Sequence, residues 1–169
     1  LLVGSRELVQ LFSRYCDLSK QTEQIMNSGR GFQVLIASVD RGDIGMVRHL
    51  LQKGGRQHIN KPRMKDRNSC LCIAVQKENI EMIQLLLDNG AVKSISMPNK
   101  SGKSPLSVAI LGKKIDIVRL LLNSEEAKWF LPNDENRLLV YTEAEKIGFS
   151  LEMLQFIKEK LGIRLTGKG

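Results

Sequence analysis

The chain has 169 residues, 42% of them hydrophobic and 26% charged, with 26 Lys and Arg against 18 Asp and Glu for a formal net charge of +8. This is enough apolar material for one globular domain with its own core, and no uncharged apolar run approaches the roughly 18 to 20 residues that a membrane span requires. The Leu1-Leu2-Val3 start lacks the basic lead and apolar stretch of a secretory signal, so the expectation is a soluble intracellular protein, cytoplasmic or nuclear.

In chain order, residues 1–30 come first, with four basic residues against three acidic ones; "GSRELVQLF" (4–12) begins a helix or partial unit over residues 5–27. Three similar segments follow: "QVLIASVDRGDIGMVRHLLQKGG" (33–55), "SCLCIAVQKENIEMIQLLLDNGA" (69–91) and "SPLSVAILGKKIDIVRLLLNSEE" (104–126). Their starts lie 36 and 35 residues apart, and a weaker fourth copy begins 35 residues later at Leu139. The early segment 4–12 matches the second half of the unit, which implies a chain that continues upstream.

Each unit reads as two short antiparallel helices. In the second copy Leu71, Ala74 and Val75 recur at three- and four-residue steps, "KEN" breaks the pattern, and Ile80, Ile83, Leu86 and Leu87 resume it. Asn89-Gly90 ends the second helix as a left-handed cap does. Small residues at Ala37/Ser38, Ala74/Val75 and Ala109/Ile110 fall midway along the first helices, where neighbouring units approach closely. The predicted division is residues 1–30 and an array over 31–169, with units at about 31–66, 67–101, 102–136 and 137–169.

These segments resemble ankyrin repeats. The Thr-Pro-Leu-His turn of that family, followed by alanine, corresponds to Ser104-Pro105-Leu106-Ser107 with Ala109, and in degraded form to Ser69-Cys70-Leu71-Cys72 with Ala74. The Gly-His-Leu-Glu-Ile-Val-x-Leu-Leu-Leu stretch corresponds to residues 78–87 and 113–122. The resemblance covers residues 31–162 well and 4–30 loosely, and it implies an all-α solenoid of about four helix-turn-helix units. The period of 35 to 36 exceeds the usual roughly 33, so the connecting fingers carry two or three extra residues. The turn histidine is missing, which predicts a turn less tightly hydrogen-bonded. The fourth unit, with Thr142 and Glu143 on its first helix, reads as a solvent-facing cap.

Motifs that suggest chemistry have structural readings in this frame. Gly102-Lys103-Ser104 ends like a phosphate-binding loop, but the required first glycine is replaced by Met97 and no buried strand precedes it. The repeat gives Gly102 a turn, Ser104 a helix cap and Pro105 the first helical position. Arg41-Gly42-Asp43 spells an adhesion tripeptide, yet Gly42 falls at the turn between two helices, where a glycine serves the backbone. His49 lies at an apolar helical position and His58 in a finger, while Glu125-Glu126 and Asp134-Glu135 fall in a loop. Cys16, Cys70 and Cys72 are odd in number and read as reduced, mostly buried thiols. The Trp129-Phe130-Leu131 stretch reads as core beneath the last repeat. No constellation for catalysis, metal binding or a cofactor is present, so the expectation is a non-enzymatic protein.

The middle of the chain is the basic part. Residues 31–103 hold twelve basic against six acidic residues, whereas residues 104–169 hold ten against nine. The string "KGGRQHINKPRMKDR" carries Lys53, Arg56, Lys61, Arg63, Lys65 and Arg67 against Asp66. In ankyrin arrays the fingers and first helices form a concave binding face. By that resemblance the contact positions here are Arg63, Lys65, Asp66, Asn68, Gln76 and Lys77, then Lys100, Ser101, Lys103, Leu111 and Gly112. Five of the eleven are basic, and the residues selected as partner-binding are Arg63, Lys65, Asn68, Gln76, Lys77, Lys100 and Lys103. The expected function is protein–protein interaction, as a monomeric part of a multidomain chain that binds an acidic segment of a partner or of its own parent chain. Nucleic acid or anionic lipid is the alternative; no aromatic side chain interleaves with these lysines to stack on bases.

Overall fold

A computed structural model describes residues 19–123 and 134–163. Its helices are α1 (Ser19–Asn27), α2 (Gly31–Arg41), α3 (Ile44–Gln52), α4 (Cys70–Gln76), α5 (Ile80–Asp88), α6 (Pro105–Leu111), α7 (Ile115–Asn123), α8 (Asp134–Ile147) and α9 (Leu151–Leu161). Short 3-10 turns at Gly55–His58 and Ala91–Ser94 follow α3 and α5. The described residues contain no strand. The half unit at 4–12, Cys16, Glu125-Glu126 and Trp129-Phe130-Leu131 lie outside the described residues.

The helices pair as α2/α3, α4/α5, α6/α7 and α8/α9. The first helices α2, α4, α6 and α8 pack in succession, and α3, α5, α7 and α9 form a second layer behind them. This is the all-α solenoid that the repeats predict. Its regularity comes from side chains recurring at the repeat interval. Ser38, Ala74, Ala109 and Ala144 sit in register on the first helices, and each is 0% exposed. Only a small side chain fits where helices approach this closely, and the Ser38 hydroxyl avoids a desolvation penalty by donating to Val34 O at 2.9 Å. On the second helices Leu50, Leu86, Leu121 and Ile157 are equally in register and equally sealed.

The turns repeat too. A left-handed residue recurs in register ahead of each second helix: Gly42 (φ 74°) and Gly148 (φ 81°) directly follow their first helices, while the non-glycines Glu78 (φ 55°) and Lys113 (φ 53°) stand two residues after theirs. Asp43, Asn79 and Ser150 then cap the second helices by accepting from Met46 N, Met82 N and Met153 N. Such caps contribute about 1 kcal/mol each. The Arg41-Gly42-Asp43 tripeptide is thus a helix C-cap joined to a helix N-cap.

Three expectations change. The turn that lacks histidine is not loosened, because Ser107 closes a capping box with Ser104: Ser107 N donates to Ser104 Oγ at 3.2 Å and Ser104 N to Ser107 Oγ at 2.8 Å. In the second unit Cys72 takes that position, where its N–H donates to Ser69 Oγ at 3.1 Å. Asp134-Glu135 opens α8 instead of lying in a loop. His58 is 4% exposed in a 3-10 turn, with Nε2 hydrogen-bonded to Met26 O, so it ties α1 to the array and does not stand on a finger. Gly31 makes that junction possible, since a Cβ there would lie 2.6 Å from Met26 O.

Candidate partner-binding face

Two fingers carry Arg63, Lys65, Asn68, Lys100 and Lys103, while Gln76 and Lys77 stand at the end of α4; both fingers are closed by their own backbone. In the first, Arg63 N donates to Asn68 O at 2.9 Å and Arg67 N to Arg63 O at 2.7 Å, with Arg67 left-handed at φ 59°. In the second, Asn99 N donates to Lys103 O at 3.0 Å, while Asn99 Oδ1 accepts from Ser101 N at 2.9 Å and Lys103 N at 3.0 Å. Gly102, at φ 74°, completes this turn. The fingers are fastened together by Lys100 N donating to Asp66 O at 2.8 Å and Asn99 Nδ2 to Asn68 Oδ1 at 3.0 Å.

The structure divides the basic string at 53–67. Lys53 ends α3, and Arg56 lies in the 3-10 turn, where its Nε donates to Asn89 Oδ1 at 3.0 Å. Only the part from Lys61 onward belongs to the finger. The selected residues divide as well. Arg63 grips Asp66 through two hydrogen bonds and lies 3.5 Å from Asp40 of α2, while Lys77 lies 3.4 Å from that same carboxylate. Asn68 is 7% exposed, and its Oδ1 accepts from Cys72 Sγ–H at 3.2 Å as well as from Asn99. Arg63 and Asn68 thus hold the finger to the helices, and Lys77 links the end of α4 to α2. Lys65, Gln76, Lys100 and Lys103 are exposed, as are Ser101, Leu111 and Gly112, and Asp66 is half-buried.

Two cations missing from the selection, Lys61 and Arg67, share the exposure of Lys65, Lys100 and Lys103. None of these five has an ion pair among the described residues. The basic string at 53–67 contains both, but they lie outside the family's usual contact positions. Met64, at the tip of the first finger, is 95% exposed; a single exposed apolar side chain is ordinary on a protein surface.

The titration behaviour follows from the contacts. Hydrogen bonding from the Arg63 guanidinium, aided by Asn68 N–H, holds the Asp66 carboxyl down at about 2, and the same pair raises Arg63. Burial pushes Cys70 up to about 12 and Cys72 up to about 11, so both remain thiols and Cys72 keeps the proton it donates to Asn68. Because the folded Asp66 value lies below the unfolded one of roughly 3.9, its stabilisation is complete above about pH 4 and is lost as pH falls toward about 2. Asp66→Asn is expected to lower the melting temperature near neutral pH, and its deficit relative to the unsubstituted protein narrows across that acid window. Thermal unfolding followed by circular dichroism at several pH values measures both effects.

Stacked helix-turn-helix units with paired fingers define an all-helical repeat solenoid. A profile of the family described as "Ankyrin repeats (3 copies)" matches residues 2–97 and 34–133. The chain belongs to the ankyrin-repeat family, whose arrays are generally protein–protein interaction modules and typically non-enzymatic. It is also 37% identical over 93 residues to a transient-receptor-potential-like protein of Drosophila melanogaster, a match covering 54% of this chain and 8% of that relative. The chain therefore corresponds to less than a tenth of the relative's length.

Proposed function

We propose that this array is a non-enzymatic interaction module whose two fingers receive an acidic segment of a partner protein, or of the longer chain to which the array belongs. The observation that carries this reading is the set of five exposed cations, Lys61, Lys65, Arg67, Lys100 and Lys103, on fingers joined by the Lys100 N to Asp66 O hydrogen bond. Like charges on fingers that the backbone ties together repel one another, and a carboxylate-rich segment relieves that repulsion as it binds. The same field speeds and orients its approach. The exposed Gln76, on the adjoining first helix, adds amide donors beside the cations. An intracellular setting, cytoplasmic or nuclear, belongs to this reading. The match to a small part of a much longer relative supports a role within a multidomain chain.

Arg63 is unsuitable for a charge-reversal test, since its loss would also release Asp66 and leave Asp40 with Lys77 alone. The Lys65→Glu/Lys100→Glu double variant removes two free cations and adds two like charges without touching a structural bond. Each exposed pair contributes about 0.2–1 kcal/mol, so affinity for a fluorescent Asp/Glu-rich peptide should fall about tenfold, ~1.4 kcal/mol. Fluorescence anisotropy reads the affinity, and the melting temperature should hold steady. Unchanged affinity would overturn the proposal. Tighter binding to single-stranded nucleic acid or phosphatidylserine vesicles, with a steep loss on added salt, would replace it with phosphate recognition.

A further inference from the structure

The hydroxyls of Ser38, Ser69, Ser94, Ser104, Ser107 and Ser150 are each engaged in a hydrogen bond, as cap, helix back-bond or link between units. Ser101 differs from them. It is exposed in the turn of the second finger, and its hydroxyl has no partner among the described residues. Exposed Lys100 precedes it directly, and exposed Lys103 follows two residues later. This is an unencumbered nucleophile between cations, in the middle of the charge cluster on which the proposed function rests.

We infer that Ser101 is a phosphorylation site whose modification switches off the basic fingers. The enzyme would be a protein kinase with an acidic substrate cleft, and the co-reactant a magnesium-bound nucleoside triphosphate. The Ser101 oxygen forms a bond to the γ-phosphorus as the bond from that phosphorus to the β-bridging oxygen breaks. The nucleoside diphosphate leaves, and the hydroxyl proton passes to the kinase's base. Access requires only a local change. The bonds closing the turn, Asn99 N to Lys103 O, Gly102 N to Asn99 O and the two to Asn99 Oδ1, are at the fingertip, as is the Lys100 N to Asp66 O link to the first finger, and no helix has to open. Glycine at 102 lets the segment leave its left-handed turn and extend across a cleft.

The product acts through charge. A phosphoserine brings about −1.5 to −2 at neutral pH and three acceptor oxygens. At this position it satisfies Lys100 and Lys103 within the finger and repels an incoming carboxylate, so an acidic segment bound there is released.

The inference depends on the acidic-segment reading for its consequence but not for its chemistry, and the test separates the two. The protein and its Ser101→Ala variant are incubated with a purified basophilic protein kinase and magnesium ATP. Incorporated phosphate is located by peptide mass spectrometry, and affinity for the Asp/Glu-rich peptide is measured before and after. The expected result is phosphate on Ser101, a fall of about fivefold or more in affinity on modification, and neither change in Ser101→Ala. Failure to modify Ser101 while other residues are modified would overturn the site. Modification of Ser101 with unchanged peptide affinity would overturn the switch. A peptide that does not bind even the unmodified protein would refute the acidic-segment reading and, with it, the switch, while phosphate on Ser101 would still establish the site.

Discussion

Urea unfolding of Leu86→Ala is expected to show a loss of about 2–5 kcal/mol, the usual cost of emptying a sealed leucine site. Leu86 is 0% exposed and lies on α5, which has α3 on one side and α7 on the other. In a linear array the helices flanking a unit are held in place by their own neighbours, so they cannot close far over the gap. The cavity term therefore adds to the lost transfer free energy. A substitution at this position weakens both faces of the second unit, and the nearest-neighbour coupling of such arrays spreads the effect in both directions. The control is Leu151→Ala, where the side chain is 84% exposed and the change should stay within about 0.5 kcal/mol. If the array still unfolds as one body, the denaturant dependence is unchanged and only the midpoint moves. A loss below about 1 kcal/mol at Leu86 would mean that the layer between units is not closed as described.

The layers were legible because they rest on side chains that recur at a fixed interval. Ala74 and Ala109 on the first helices, with the leucines of the second, mark burial wherever the interval places them. Gly42 and Asn89-Gly90 announce turns by backbone chemistry alone. The fourth unit was less plain, because Ala144 keeps the small-residue position while Thr142 and Glu143 beside it obscure the pattern. The fingers were legible as charge but not as architecture. Sequence gives the sign of Arg63 and Lys65 equally, yet Asp66 and Asp40 engage Arg63 while no carboxylate among the described residues engages Lys65. That distinction depends on where Asp40, 23 positions earlier in the chain, comes to rest after two helices have folded back. Likewise Cys72 takes the place of a turn histidine through a thiol hydrogen bond that no motif encodes. Side chains whose role depends on a partner in another unit are the ones that spacing within a unit cannot assign.

Asn68 shows the consequence of that distinction, because the alignment places it among the contact positions while the fold buries it. Its carboxamide oxygen accepts from the Cys72 thiol at 3.2 Å and from Asn99 Nδ2 at 3.0 Å, joining the base of one finger to the next. Asn68→Ala leaves both donors without their acceptor, and stranding buried polar groups costs about 1–3 kcal/mol. For a chain of this size that corresponds to a fall of about 2–4 °C in melting temperature per kcal/mol. The lysines remain exposed, and the Asp66 carbonyl still holds Lys100 N. At temperatures well below the transition, affinity for an acidic peptide should therefore stay within about threefold, ~0.6 kcal/mol. Lys65→Glu/Lys100→Glu should give the reverse pattern, with affinity lost and stability kept. Differential scanning calorimetry and anisotropy on the two variants together separate the residues that build the fingers from those that present the charge. An Asn68→Ala protein that melts normally yet no longer binds the peptide would return Asn68 to the contact surface.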